Sequence, residues 1–454
     1  MSLGDRGQPA SDGGLTVGGP VVKDLRSFFF FSYEGLRLTQ PQAASAELVP
    51  DQYLRDQAPA AIQAILNAFP EPTPGGIDYG SASQPSLAQF LKSYSVPSQI
   101  DSTSLRLDKA FGDKLALFLR AAYSPSSANT RSLSALSQLG FETQTYTLGA
   151  TNQWTRKISD DFRLGFARSD SRVIGILDGF GGAMPINLAA AVGQGASTTA
   201  TPSIFLDFAG AGYTELSSGV SGNGLRQWNA INTWAWIPGK HAFKFGVDYR
   251  HIDSPILPST LQLYPSFLGA ADVLNNAATE TSVLALSRAT PIFEQFAAFA
   301  QDEWHASPFL TLSLGLRWEL SLPPSGANGQ DAYTISGDLS EPATLGLSPR
   351  GTSLWQTPWL NFAPRLGVAW QSRNRQGWET VLRSGGGVFF DSDNQVAGSG
   401  FSGAGFEAVT NYFGAPLPLS PQQINIPIGI APPYGTLGAK RENARVPGCN
   451  RRSQ

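Results

Sequence analysis

The chain has 454 residues, of which 15% are charged, 41% hydrophobic and 11% aromatic, with 48 Gly and 32 Pro. So few charges and so many turn formers exclude a coiled coil or helical bundle, and a net charge of −3 gives no field for holding nucleic-acid phosphates. The single cysteine, Cys449, excludes an internal disulfide framework, and three histidines with two methionines leave little material for a metal centre.

The first 14 residues are polar and carry no apolar h-region, so the reading there is of no signal peptide. Taken literally this means a cytoplasmic protein, or a start that lies elsewhere. No run approaches the roughly 18 to 20 apolar residues of a membrane-spanning helix. Period-2 alternation then predicts strands in chain order. Residues 27–38, 104–111, 115–124 and 143–155 come first. In 161–168, Phe162, Leu164 and Phe166 oppose Arg163, Gly165 and Ala167. A strand follows at 225–237. In 242–250, Phe243, Phe245, Val247 and Tyr249 oppose Lys244, Gly246, Asp248 and Arg250. After 292–305, the clearest strand spans 311–320, with Leu312, Leu314, Leu316, Trp318 and Leu320 on one face and Thr311, Ser313, Gly315, Arg317 and Glu319 on the other. In 362–370, Leu366 and Val368 oppose Arg365 and Gly367, and 379–391 closes a set of about 11 strands. Helical spacing is confined to two connections, 59–69 and 270–287.

The connections carry more information than the strands. Tight turns fit at 112–113, 156–160, 238–240, 306–308 and 372–377. Long stretches separate the resulting hairpins at 39–103, 125–141, 173–224, 253–291 and 323–360. One alternating strand suits any half-buried sheet, but short and long connections in strict order suit an outer-membrane barrel, with short periplasmic turns and long extracellular loops. The expected fold is therefore all-β: an antiparallel up-and-down meander, forming a partial transmembrane barrel of about half the usual strands. Leu312, Leu314, Leu316, Trp318, Phe243, Phe245 and Val247 are expected to face lipid. Arg317, Lys244, Asp248 and Arg365 are expected to face the lumen. Trp154, Trp304, Trp318, Trp370 and Trp378 fall near strand ends, where interfacial girdles place aromatics.

Enzyme chemistry is absent from the pattern, and no catalytic, cofactor or metal residues are expected. Adjacent Asp302 and Glu303 point to opposite faces of a strand and make a poor acid/base pair. Asp391 and Asp393 would need more oxygen ligands to hold calcium. His241 and His251 flank one strand about 30 Å apart, too far to share a metal. Gly175, Gly179, Gly181 and Gly182 lack the strand-to-helix context of a phosphate cradle, and Gly385–Gly387 lie inside a strand pattern.

Several motifs resemble the barrel of TonB-dependent outer-membrane receptors of the Oar-like type, common in Acidobacteria and usually bearing an N-terminal carboxypeptidase-regulatory-like domain. Gly18-Gly19-Pro20 with Lys23-Asp24, then Phe28 to Phe31, Tyr33-Glu34-Gly35 and Arg37, is similar to the junction where plug ends and barrel begins. Ile65 to Pro70, Leu105 to Lys109 and Lys244 to Arg250 resemble later segments. Phe299 to Trp304 with Leu310 to Glu319, and Ala363 to Trp370 with Leu382 to Asp391, resemble two successive hairpins. These motifs run in family order over roughly residues 13–395.

The resemblance implies outer-membrane lipid as surroundings, TonB as energy-coupling partner in the full-length family, and import of a scarce solute whose identity is unknown. It also implies three regions: a remnant of the plug-to-barrel junction at 1–26, a partial barrel at 27–391, and an extracellular loop with an irregular polar tail at 392–454. Relative to the family pattern, the signal peptide, TonB box, plug and closing aromatic strand are expected to be missing, and 440–454 is polar and basic. The expectation is thus a fragment that is not transport-competent alone. A non-specific porin-like channel and a soluble secreted all-β glycan-binding protein are the alternatives.

Overall fold

The computed structural model describes residues 10–22, 26–338, 340–375, 377–392, 394–429 and 435–436. Alternating strands joined by turn residues produce twelve long strands. They are β1 (Ala10–Val22), β2 (Ser27–Gln42), β3 (Tyr94–Phe111), β4 (Leu115–Ser132), β5 (Ala135–Thr155) and β6 (Ile158–Leu177), followed by β7 (Gly219–Trp236), β8 (His241–Asp253), β9 (Pro291–Ser307), β10 (Leu310–Ser321), β11 (Phe362–Arg375) and β12 (Trp378–Gly387). Each pairs antiparallel with its sequence neighbour, in the order β1 through β12. The meander is therefore as expected, with one strand more than the pattern shows. That strand is β1, so the first sheet edge is Ala10–Val22 and not the segment at 27–38. Among the described residues β1 and β12 do not pair with each other, and the sheet stays open.

Tight turns lie at one rim. Gly112 sits in a three-residue turn with φ +65, and Gly239 at φ +69 helps to close the β7–β8 turn, conformations that a Cβ disfavours. The opposite rim carries the long connections, with one exception. The stretch at 125–141, expected to be a loop, instead continues β4 and β5 to a two-residue turn at Leu133 and Ser134. These strands run 18 and 21 residues, about 60 to 70 Å at the usual rise, where about 9 to 11 residues cross a membrane. Over 124–132 Ser, Asn and Thr take positions on both faces of β4, so the hydrophobic alternation that marks a strand disappears while the backbone ladder persists.

Residues drawn from 43–93, 178–218, 254–290 and 407–426 fold into a cap with its own core. Its helices are α1 (Gln52–Gln57), α2 (Ala60–Leu66), α3 (Leu188–Val192) and α4 (Ala270–Leu274). Its sheet orders the strands Gly212–Ser217, Thr201–Phe208, Leu261–Phe267, Glu280–Leu286 and Glu407–Tyr412. Ile62, Ile65 and Phe69 from α2 and its C-terminal flank meet Leu188, Ile204, Leu206, Leu263, Phe267 and Val283 in one cluster, each no more than 2% exposed. The 59–69 helix is thus present as α2. The 270–287 helix is not. It ends after one turn at Asn275, Asn276 takes φ +47, and Glu280–Leu286 becomes a strand that buries Thr281 and Val283. Two β-branched residues on a pleated, half-buried surface override the helical spacing there.

Candidate functional site: two faces of one sheet and a covered recess

Register fixes which side chains share a face, because cross-strand partners point the same way. Phe245 lies opposite Ala300, Ala300 opposite Leu316, and Leu316 opposite Pro364. Val247, Ala298, Trp318 and Phe362 form the next row. Phe243, Leu312 and Leu314 share this apolar face, and the side chains stand open: Leu314 is 44% exposed, Leu316 48%, Phe245 47% and Val247 45%. Leu312, Trp318 and Phe243 are half-buried among their neighbours.

Aromatics on the apolar face collect in two belts. Trp154 stacks on Trp234 at 6.1 Å, Trp236 on Phe243 at 5.4 Å, and His241 lies between Phe243 and Trp304. At the other end Tyr146, Phe166 and Trp228 adjoin, the last two at 4.7 Å, and Phe296 meets Trp318 edge-on at 5.9 Å. The belts are eight residues apart on β5 (Tyr146, Trp154), β7 (Trp228, Trp236) and β9 (Phe296, Trp304). That is about 27 Å along a strand, or about 20 Å of height at a tilt near 40°, close to the apolar band of such barrels. Polar groups interrupt the face at Asn232, Asp302, Asp160, His251 and Glu294. The Asn232 side-chain oxygen is buried without a partner, and Asp302 bonds His241 Nδ1 at 2.7 Å.

The opposite face carries Lys244, Gly246, Asp248 and Arg250 beside Gln301, Phe299, Ala297 and Gln295, then Gly315, Arg317 and Glu319, then Arg365. Lys244 and Arg365 are exposed, low on this face. Asp248 and Arg317 are brought together. Asp248 is 7% exposed and accepts from Asn229 Nδ2 at 2.7 Å, from Arg250 at 3.1 Å and from Arg317 at 3.4 Å, and Arg317 Nε donates to Glu319 at 2.5 Å. Each charge has a partner of opposite sign, so the network is fixed before anything binds.

Loops cover this charged face, whereas among the described residues the apolar one stays largely open and meets a loop at Trp318, whose Nε1 donates to Trp359 O at 2.9 Å. The helix α5 (Asn394–Ser399) lies against the charged face: Ala397 packs with Ile252 and Phe293, Trp355 adjoins them, and Gln295 donates to Asn394 at 3.0 Å. Between them is a recess of about 1030 Å³, walled by Asp248, Arg250, Arg317 and Glu319 from the strands and by Trp355 and Asp391 from the loops. Arg250 and Glu319 were read on the polar faces of their strands but not among the expected lumen residues, and Trp355 was not singled out from the sequence. The first two follow from an acid and a base two residues apart on one strand face, as in Asp248–Arg250 and Arg317–Glu319. Trp355 sits in a loop without pattern. Asp393 lies outside the described residues, as do Cys449 and the 440–454 tail. Among the described residues no three His, Cys, Asp or Glu side chains converge as a metal site, and no helix is long and apolar enough to cross a membrane.

Among curated proteins none matches the chain. Solved structures similar to it include the outer membrane transporter YddB of Escherichia coli, 9% identical, with a TM-score of 0.44 over 81% of this chain and 45% of that one. The ferric enterobactin receptor PfeA of Pseudomonas aeruginosa is 12% identical, with a TM-score of 0.39 over 83% and 49%. The ferric yersiniabactin uptake receptor FyuA of Yersinia pestis is 11% identical, with a TM-score of 0.31 over 88% and 62%. The chain thus spans about half to three-fifths of these proteins. The outer membrane beta barrel domain family matches residues 54–448, most of the chain. The chain belongs to the outer membrane beta barrel domain family, and its place is the outer membrane.

Proposed function

We propose that the chain supplies barrel strands and ligand-binding loops of a TonB-dependent receptor of the Oar-like type, one that imports a solute across the outer membrane. Leu312, Leu314, Leu316, Trp318, Phe243, Phe245 and Val247 face lipid in this reading, and Arg317, Lys244, Asp248 and Arg365 face the lumen. The observation that carries it is the contrast between faces. The apolar face is exposed and belted by aromatics at both ends. The charged face is roofed by loops that enclose a recess. A soluble sheet sandwich buries its apolar face, the reverse of this arrangement. The ordered motifs over residues 13–395 support the finer family. The proposed organisation is a junction at 1–26, whose residues 10–22 add an edge strand, then the barrel at 27–391, then the loop and tail at 392–454.

In this reading the solute enters from the cap side and meets the recess, where Trp355 offers an apolar plane and the Asp248–Arg317–Glu319 network offers paired donors and acceptors. TonB would supply the energy that moves it on. Single-cysteine variants in a Cys449→Ser background, reconstituted in bilayers, test the orientation. A membrane-impermeant thiol reagent is expected to label position 313 and spare positions 314 and 316. Faster labelling at 314 and 316 would refute the membrane reading and favour the soluble binding protein.

A further inference from the structure

The five-stranded sheet of the cap buries one face in the core and leaves Asp207 and Tyr213 exposed on the other. That other face follows from register. Tyr213 lies opposite Asp207, Glu215 opposite Phe205, Ser266 beside Phe205, and Glu280 opposite Ser266. Three carboxylates (Asp207, Glu215 and Glu280) therefore share a face with Phe205, Tyr213 and Tyr264. Phe205 and Tyr264 sit at 6.5 Å, and Tyr213 is 68% exposed. Glu215 accepts from Ser203 Oγ, whereas the Asp207 carboxylate has no hydrogen bond or ion pair among the described residues. The five strands contain no Lys or Arg.

Between these side chains lies a hollow of about 330 Å³, walled by Phe205, Tyr213, Phe267 and Leu268, with Asp207 and Ser266 at its polar side. Its size is at the lower end of small-molecule sites, and its walls are almost wholly apolar. A carboxylate beside aromatic faces is the arrangement that favours an organic cation: the ring faces attract positive charge, and the carboxylate accepts a charge-assisted hydrogen bond. The surrounding field agrees. Residues 43–93, 178–218, 254–290 and 388–429 hold only three basic residues (Arg55, Lys92 and Arg288) against thirteen Asp and Glu. Arg55 is buried and spends its guanidinium on backbone carbonyls, so it does not offset this charge outside.

We propose that this hollow is a second ligand site, distinct from the lumen recess, that takes an organic ammonium ion carried on a small apolar or aromatic stem. The ammonium sits against Asp207 between Phe205 and Tyr213, and the stem lies on Leu268. The acidic cap concentrates such cations at its surface. Because the site is built within the cap, it holds or fails independently of the transport reading.

Binding of 2-phenylethylammonium to the full chain in detergent micelles, followed by calorimetry, tests it. Phenylacetate and 2-phenylethanol serve as anionic and neutral isosteres. Saturable binding of the ammonium is expected, about tenfold or more tighter than either isostere. Raising NaCl from 50 to 500 mM should weaken it. Asp207→Asn should abolish the preference for the ammonium, Asp207→Glu should keep it in part, and Tyr213→Ser should weaken binding. Asp207 and Tyr213 are exposed, so these variants should keep the proteolytic pattern of the parent. Equal binding of phenylacetate, no binding of the ammonium, or unchanged affinity in Asp207→Asn would overturn the proposal.

Discussion

The sheet and the cap use the same residue types in opposite ways. In the sheet, Leu314, Leu316, Phe245 and Trp228 stand 44 to 48% exposed, while Asp248 is buried. In the cap, Leu206, Ile65, Phe69 and Phe267 are at most 1% exposed. Burying such a side chain away from water is favourable by about 1.5 to 3 kcal/mol, so a dozen left open on one continuous face would be costly if water lay outside. The cap obeys the rule for a domain in water. The sheet obeys the rule for a wall between lipid and a wet interior. One chain therefore contains two solvents' worth of folding logic, and the boundary runs near the upper aromatic belt. The charge distribution marks it as well. The cap connections are strongly acidic, and the rest of the chain carries a compensating positive balance.

Substitutions can break this contrast in either region. The largest effect is expected inside the cap. Phe69→Ala opens a cavity at the centre of its core and should cost about 3 to 5 kcal/mol. Limited proteolysis should then cut the cap connections far faster, while the strands keep their protection. Equal loss of protection in both regions would mean that they unfold as one unit. Arg55→Met comes next. The guanidinium donates to Pro50 O at 3.1 Å, Phe69 O at 3.3 Å and Pro70 O at 2.6 Å, tying α1 to the end of α2. Burial pushes Arg55 down to about 10, still protonated at neutral pH. Its loss leaves three buried carbonyls to find other donors, a cost of about 1 to 3 kcal/mol for each left bare, again read by cap proteolysis.

On the sheet the sensitivity should depend on the solvent supplied. Leu316→Arg places a cation in the middle of the apolar face, where it costs about 2 to 4 kcal/mol in a bilayer. Gly315→Ser, one residue away on the charged face, meets only ordinary contacts from Arg365 and Gln301 and should cost little. Urea unfolding in lipid vesicles checks the pair. A cost at Gly315 as large as that at Leu316 would erase the distinction between faces.

Much of the sheet was legible in the sequence because one face is apolar and the other polar, which imposes a two-residue period. Leu312 to Leu320 and Phe243 to Tyr249 carry that period without interruption, so their register was readable. Strand β1 was not, because Gly13, Gly14, Gly18 and Gly19 carry no side chains to set a face. Nor were the upper halves of β4, where Ser, Asn and Thr occupy both faces, and of β5, where Leu136 and Leu139 fall on opposite faces. The cap escaped pattern reading for a different reason. Its core joins α2, α3 and strands drawn from separate connections, and no local window contains both sides of those contacts. The recess was legible in half: the strands gave Asp248 and Arg317, whereas Trp355 and α5 arrive from loops whose placement depends on the whole fold.

The smallest expected effect lies at the seam between sheet and cap. Arg131, near the top of β4, pairs with Asp178 just past β6, with one hydrogen bond at 2.7 Å, and its guanidinium also lies 4.4 Å over the ring of Phe180. Phe180 in turn meets Phe90 and Tyr94 edge-on, so the pair anchors cap residues to the strand ends. The Arg131 guanidinium holds the Asp178 carboxyl below the usual carboxylate range. A depressed folded-state value means that the unfolded chain binds the proton more readily. The pair's contribution is therefore complete above the unfolded value, near 3.9, and is lost as pH falls through the lower folded value. Cap stability in urea should be flat from pH 7 to about 5 as far as this pair is concerned and should decline toward pH 3. Asp178→Asn should lower stability at pH 7 modestly, since the group is partly solvated, and should flatten part of the acid limb. An acid limb identical in parent and variant would show that the seam is held by the Phe180 contacts and not by charge.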